Sequence, residues 1–197
     1  MLKVAVLVSG GGTNLQAILD AVDSGKITNA KVEKVISNVA GAYALERAKN
    51  HGVTGVTLRK KDFDSKDAWE QALIKEIEDC GAQLIVLAGF MAILSENFTK
   101  HFADRIINVH PSLIPSFCGE GMYGLHVHEA ALAKGVKVSG ATVHFVNEEV
   151  DGGKIIAQKA VDVLADDTPE TLQKRIMQQA EWIILPQAID DIANNRI

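Results

Sequence analysis

Short apolar runs alternate with longer amphipathic segments through the first 110 residues of the chain. The apolar runs are rich in β-branched residues and almost continuous in apolar character, which is typical of parallel strands buried on both faces. The segments between them carry apolar residues at three-and-four spacing and are closely followed by a glycine, a common signal for the end of a helix. This alternation predicts an α/β fold with a doubly wound, mostly parallel sheet. The predicted strands are 4–8, 32–37, 53–58, 84–88 and 106–109, and the predicted helices are 14–21, 42–50 and 66–79.

The pattern changes after His110. Residues 111–124 contain two prolines and three glycines with little periodicity, which predicts a long loop, and long loops in compact domains are often functional. A short helix over 127–133 and two strands over 138–146 and 155–163 are expected next. The turn-rich connection "NEEVDGGK" between these strands predicts an antiparallel hairpin.

A long final helix is predicted from Thr168, which has the character of an N-cap and is followed by Pro169 at the first helical position. Pro186 is expected to kink or end this helix, because proline lacks a backbone N–H. The residues expected on its buried face are Leu172, Ile176, Ala180, Ile183 and Ile184.

Composition restricts the class of protein. The chain has 197 residues and 47% hydrophobic content, which fits a single domain over 1–197. A net charge of -5 argues against binding to nucleic acid or to an anionic membrane. Cys80 and Cys118 form no CxxC pair, which suits the reducing cytoplasm, and the first apolar run is too short for a secretory segment. No metal-binding motif is visible.

The sequence "SGGGTNL" places three glycines between the first strand and the first helix. Bare backbone amides and the start of a helix attract anions, so a phosphate is the expected ligand. The loop lacks the Gly-Lys-Ser/Thr of a P-loop, Leu15 stands where a dinucleotide fold has its third glycine, and Asn38 stands where it has an acid. These differences argue against NAD as the ligand of this loop. The alternative is a tight turn that holds no ligand.

Asn108 and His110, in "INVHPSLIPSF", fall at the carboxyl end of a predicted strand and two positions apart, so they share one side of it. A primary amide can donate to a developing oxyanion and an imidazole can move protons. Asp151 precedes Gly152, and an Asp-Gly pair is common in turns. Alternatively, the Asp151 carboxylate could raise the basicity of the His110 imidazole and hold its orientation. His144 is either a further candidate or a hydrogen-bonded histidine of the core. The alternative for His110 is that it only ends the strand and has no catalytic role.

Four segments, "SGGGTNLQAI", "VLAGFMAIL", "NVHPSLIPSF" and "VHFVNEEVDGGKII", occur in this order along the chain. Together they closely resemble the glycinamide ribonucleotide branch of the folate-dependent formyltransferase family. The resemblance implies a Rossmann-like formyltransferase fold. It also implies transfer of a formyl group from the co-substrate 10-formyltetrahydrofolate to the amine of glycinamide ribonucleotide, in de novo purine biosynthesis, without a metal. The expected partners are small molecules only, and the expected state is a monomer or a homodimer.

The resemblance also implies roles for individual residues. The residues that match the catalytic set are Asn108, His110 and Asp151. Those that match the substrate-binding set are Gly11, Gly12, Thr13, Asn14 and Glu181. Those that match the folate region are Met91, Ala92, Ile93, Leu94, Asn108 and the connection from Val146 to Asp151. The chain departs from the family pattern at Ala92, where arginine is common, at Lys154, where proline is frequent, and in "CGEGMYGLH", which is longer than the family's short "PGLH".

Other functions remain open from the sequence. The sister enzymes are methionyl-tRNA formyltransferase, which would carry a further carboxyl-terminal domain and a basic surface, and formyltetrahydrofolate hydrolase, which usually carries an amino-terminal regulatory domain. A non-catalytic nucleotide-binding module would explain the glycine loop, but not Asn108, His110 and Asp151 together. A covalent mechanism would use Cys118 as a nucleophile, although no base lies beside it in the sequence.

Overall fold

A computed structural model describes residues 1–197 and contains one seven-stranded sheet with strand order β3-β2-β1-β4-β5-β6-β7. The first five strands are parallel, while β6 pairs antiparallel with β5 and β7 pairs antiparallel with β6. This confirms the predicted doubly wound, mostly parallel sheet with a C-terminal antiparallel hairpin. The strands are β1 (Leu2–Val8), β2 (Ala30–Ser37), β3 (Thr54–Thr57), β4 (Leu84–Leu87), β5 (Ile106–His110), β6 (Val138–Phe145) and β7 (Ile155–Asp162).

Helices cover both faces of the sheet, because successive strand residues point to opposite faces. In β1, Val4 and Val6 pack against the helices of one face, whereas Ala5 and Leu7 pack against those of the other. The first face carries α1 (Thr13–Asp23), α2 (Tyr43–Asn50), α5 (Leu125–Lys134), α6 (Pro169–Ile176) and α7 (Trp182–Ala193). The second face carries α3 (Lys66–Asp79) and α4 (Glu96–His101).

The strand order reverses between β1 and β4, so this sheet has a switch point. Ligands of open α/β sheets bind in the crevice outside the carboxyl ends of the strands at such a point. The carboxyl ends of β1, β4 and β5 lie side by side at this edge. Two inter-strand spacings separate the end of β1 from the end of β5, a distance of about 10 Å.

Helix starts agree with local sequence signals where a hydroxyl side chain is present. Thr168 caps α6 in a reciprocal capping box with Thr171, and Pro169 follows it, as predicted. Ser95 caps α4 through the N–H of Phe98 at 3.2 Å. Helix α4 is absent from the sequence prediction, because its six residues are too few for a visible apolar period. Ser95 is the signal that could have revealed it.

The predicted buried face of the final helix is wrong at Ile183, which is 50% exposed. Residues Met177–Glu181 form a π-helical turn between α6 and α7, and its wider turn rotates every later residue relative to an ideal α-helix. Leu185 is therefore fully buried in place of Ile183. The prediction that Pro186 could end the helix is also wrong, since α7 continues to Ala193.

Candidate active site

The glycine loop that follows β1 is held from behind by α2. The N–H of Ala44 donates to the carbonyl of Gly10 at 3.1 Å, and Nε of Arg47 donates to the carbonyl of Gly11 at 2.7 Å. Gly12 has φ of +71°, and a Cβ built there would lie 2.6 Å from Cβ of Ala44. Only glycine fits this position, because it tolerates the left-handed conformation and leaves space for α2.

The loop presents unused donors to the edge of the sheet. The backbone N–H groups of Gly11 and Gly12 donate to no protein acceptor. Thr13 begins α1 directly after them, so the positive end of the helix dipole adds to their effect. A cavity of about 750 Å³ opens beside Thr13, between α1 and α7. The arrangement is suited to an anion.

Asn14 and Glu181 form a buried pair that joins the loop to the final helix. Nδ2 of Asn14 donates to Oε2 of Glu181 at 2.7 Å, and both residues are buried. Burial raises the pKa of Glu181 to about 7, against the opposing effect of the hydrogen bond from Asn14. Glu181 ends the π-helical turn, and this turn directs it inward. The structure thus brings together two substrate-binding candidates that are 167 positions apart.

Asn108 lies near the end of β5 and opposite His144 of the antiparallel strand β6. Nδ1 of His144 is 2.8 Å from the carbonyl of Phe145, so this nitrogen carries the proton. Nε2 lies 3.2 Å from Nδ2 of Asn108 and 3.7 Å from Oδ1 of Asp151, so it accepts from the amide when it carries no proton and faces the carboxylate as a donor when it carries one. One N–H of the amide is engaged by His144. The second N–H remains available for a substrate oxygen.

His110 and Asp151 face each other, with Nδ1 of His110 3.5 Å from Oδ2 of Asp151. Nε2 of His110 donates to the carbonyl of Phe117 at 2.8 Å. Asp151 is 10% exposed in its side chain and accepts a hydrogen bond from the N–H of Gly119 at 2.9 Å. Its other oxygen lies 3.7 Å from Nε2 of His144. The structure therefore brings Asn108, His110 and Asp151 into one cluster.

The charges of this cluster are set by burial and by its members. Burial has the largest effect on the pKa of His110 and lowers it. With the neighbouring His144, which also lowers it, burial outweighs the carboxylate of Asp151 and the carbonyl of Phe117, which raise it. Burial also acts to raise the pKa of Asp151, but the neighbouring His144 and His110 rings and the N–H of Gly119 outweigh it, so this pKa is lowered. The free site at neutral pH accordingly holds a neutral imidazole beside a carboxylate.

The residues expected to line the folate region come from two segments, one that follows β4 and one that follows β6. Residues 91–94 follow β4, the strand between β1 and β5. Met91 and Ile93 are 51% and 63% exposed, whereas Ala92, Leu94 and Val146 pack partly on the second face of the sheet. The N–H of Met91 donates to Oγ of Ser9 at 2.8 Å, which ties this segment to the end of β1.

His144 is the site residue that sequence analysis left undecided between core and site. Its position in an apolar strand hides its role, and only the pairing of β5 with β6 reveals that it faces Asn108. Of the other histidines after β5, His126 is exposed and contacts Glu129 at 3.1 Å. His128 is fully buried, and burial together with the charge of His110 lowers its pKa to about 4.

No group of three or more His, Cys, Asp or Glu side chains is arranged to hold a metal ion. None of the helices combines the length and the hydropathy needed to span a membrane.

Comparison with known proteins finds the same family along nearly the whole chain. A family model described as formyl transferase matches residues 2–189. Phosphoribosylglycinamide formyltransferase of Escherichia coli K12 is 43% identical over 196 residues, which covers 100% of this chain and 89% of that protein. The crystal structure of glycinamide ribonucleotide transformylase 1 from Symbiobacterium toebii matches with a TM-score of 0.93 and 44% identity, over 100% of this chain and 89% of that one.

A longer relative contains a similar segment. The trifunctional purine biosynthetic protein adenosine-3 of Drosophila pseudoobscura pseudoobscura is 43% identical over 196 residues, which is 99% of this chain but 14% of that protein.

Proposed function

This chain belongs to the formyl transferase family, and we propose that it transfers the formyl group of 10-formyltetrahydrofolate to the amine of glycinamide ribonucleotide in purine biosynthesis. The observation that carries the proposal is the convergence of Asn108, His110 and Asp151 at the sheet edge that also carries the glycine loop. The loop would hold the phosphate, Glu181 would contact the ribonucleotide, and residues 91–94 and 146–151 would line the folate site. The free thiols of Cys80 and Cys118 favour a cytoplasmic location.

The reaction needs an electrophile held in place, because the substrate amine is itself the nucleophile. The amine nitrogen would bond to the formyl carbon, and the carbonyl electrons would move to its oxygen. The free N–H of Asn108 would donate to that oxyanion. Breaking the bond from the formyl carbon to the folate nitrogen then completes the transfer, with one proton moving from the amine to the departing nitrogen.

His110 and Asp151 would carry that proton. The neutral imidazole has its lone pair on Nδ1, because Nε2 donates to the carbonyl of Phe117. A proton accepted at Nδ1 would lie beside Oδ2 of Asp151, whose negative charge stabilises the imidazolium. A protonated His110 would be a second donor to the oxyanion. The lowered pKa argues instead for a neutral resting ring, and donation from Nε2 would first require the carbonyl of Phe117 to move.

The decisive assay combines the purified protein with 10-formyltetrahydrofolate in the presence and absence of glycinamide ribonucleotide. Formyl loss that depends on the ribonucleotide supports the transferase. Loss without it would identify a formyltetrahydrofolate hydrolase. No loss in either mixture would favour a nucleotide-binding module.

Cys118 is expected to be dispensable. Its Sγ–H donates to the carbonyl of Pro115 at 3.3 Å, and both burial and the charge of Asp151 raise the pKa of the thiol, so the thiolate nucleophile is disfavoured. We expect Cys118→Ala to retain kcat within about twofold, since the amine supplies the nucleophile. A folded variant that lost turnover by orders of magnitude, or a trapped formyl thioester, would support the covalent mechanism instead.

Replacing Gly12 with alanine should weaken ribonucleotide binding. The added Cβ would meet Ala44 at 2.6 Å and must displace either α2 or the loop amides. Gly25→Ala is the matched control, because Gly25 has φ of +72° with nothing within 4 Å. We expect KM for the ribonucleotide to rise about tenfold or more in Gly12→Ala and to stay unchanged in Gly25→Ala. Equal KM values in the two variants would show that the phosphate does not bind at this loop.

A further inference from the structure

Arg47 makes three contacts around the glycine loop that no catalytic role explains. Nε donates to the carbonyl of Gly11 at 2.7 Å, and Nη1 donates to Oε1 of Gln16 at 2.9 Å. The guanidinium carbon lies 4.9 Å from the centre of the Tyr43 ring, a distance typical of a cation–π contact. The side chain is half-buried and forms no ion pair with any carboxylate. Arg47 lies on α2, whereas the glycine loop leads into α1.

The contact with Gly11 controls the direction of a neighbouring donor. In a trans peptide the C=O of one residue and the N–H of the next point in opposite directions. Because Arg47 holds the carbonyl of Gly11, the N–H of Gly12 points away from α2. The bond from Ala44 to the carbonyl of Gly10 does the same for the N–H of Gly11. Helix α2 thus directs both unused donors of the loop away from itself.

Arg47 also contributes positive charge at the same place. Its guanidinium has five N–H groups, and the contacts with Gly11 and Gln16 use two of them. The side chain lines the cavity of about 750 Å³ together with Thr13, the first residue of α1. Asp20 lines the same cavity but accepts from Nε2 of Gln16 and forms no ion pair with Arg47, so the charge of Arg47 adds to that of the helix terminus.

We propose that Arg47 is a positioning residue for the phosphate of the substrate: it fixes the Gly11–Gly12 peptide so that its N–H faces the phosphate, and it supplies charge behind the loop. This inference rests on the proposed function, which assigns a phosphorylated substrate to the glycine loop. Arg47 acts through the loop backbone and takes no part in proton transfer. Its loss therefore affects ribonucleotide binding and not the chemical step.

Three variants test the proposal. Arg47→Met keeps an apolar stem over Tyr43 and removes the donor and the charge, whereas Arg47→Lys keeps the charge and loses the forked geometry. Lys49→Met is the matched control, since Lys49 is an exposed cation on the same helix with no bond to the loop. Steady-state kinetics give KM and kcat, and thermal melting reports folding. An NMR titration with ribose 5-phosphate follows the amides of residues 10–14 without any need for turnover.

The expected result is a split between binding and chemistry. Arg47→Met should raise KM for the ribonucleotide and the dissociation constant of ribose 5-phosphate about tenfold, with kcat within about twofold. Arg47→Lys should recover part of the loss, and Lys49→Met should match the unmodified protein.

Two outcomes overturn the inference. One is an unchanged KM and ribose 5-phosphate affinity in folded Arg47→Met or, should that variant not fold, in Arg47→Lys. The other is an unmodified protein whose loop amides do not respond to ribose 5-phosphate. Failure of the proposed function is distinct, because it removes formyl transfer by the unmodified protein while the titration still reports on Arg47.

Discussion

Asn108→Leu, which keeps the size of the side chain and removes its N–H donors, is expected to lower kcat by a factor of roughly 10²–10³. The amide nitrogen lies 3.2 Å from Nε2 of His144, and its second N–H has no protein acceptor, so it is free to donate to the formyl oxygen in the proposed reaction. Its loss leaves the developing oxyanion without a positioned donor. Single-turnover formyl transfer measures the effect directly.

A second variant separates donation from orientation. His144→Phe keeps an aromatic ring in the strand but removes the acceptor that orients the amide of Asn108. We expect a smaller loss, about tenfold in kcat, with KM for the ribonucleotide unchanged in both variants. Full activity of a folded Asn108→Leu protein would assign oxyanion stabilisation to another group.

Asp151→Asn should lower kcat about a hundredfold, because it removes the charge that stabilises a proton on His110 and keeps the size of the side chain. Asn also tolerates the positive φ of 56° at this position. Asp166→Asn is the matched control, since it removes the same charge from an exposed residue outside the site. Ribonucleotide affinity is expected to change little in either variant.

The pH dependence of Asp151→Asn provides an independent readout. The carboxylate raises the pKa of His110, although burial lowers it more, so removing the carboxylate lowers that pKa further. If the neutral ring is the active form, the acid limb of kcat/KM moves to lower pH in the variant while the plateau falls.

Stability has its own pH dependence at this residue. The lowered pKa of Asp151 means that its contribution is present above the ordinary aspartate pKa and is lost as the pH falls through the lowered value. Asp151→Asn has no carboxylate at this position, so its stability lacks this dependence on acid pH. Near-normal turnover with an unshifted pH profile would reduce Asp151 to a turn residue.

The strands could be predicted from the sequence because helices cover both faces of the sheet, which makes strands such as 84–87 apolar at every position. Asn108 and His110 could be predicted as site candidates for a related reason, since a polar pair at the end of a buried strand has few structural uses. The position of the final helix was predicted correctly, but its buried face was predicted wrongly at Ile183. A π-helical turn depends on tertiary packing and leaves no periodic trace in the sequence.

Three hydrogen bonds between distant segments leave no local signal in the sequence. The bond between Asn14 and Glu181 depends on the rotation that the π-helical turn introduces, and the contact of His144 with Asn108 depends on strand register. Arg47 reads as an ordinary surface residue of α2, because nothing local indicates that its side chain reaches a carbonyl 36 positions earlier. Each of these contacts is a product of topology.

The antiparallel pairing of β6 with β5 determines where the chain can gain or lose residues. Asn108 and His144 are held opposite each other by the backbone hydrogen bonds of adjacent strands, so the length of the intervening chain does not set their separation. The hydrogen bonds from the loop to the reacting cluster come from Phe117 and Gly119, and α5 begins at Leu125. Codons gained or lost between these points change the length of a mostly exposed segment and leave these hydrogen bonds in place. Residues 120–124 are therefore the part of the loop where its length can change without altering the contacts of the reacting cluster.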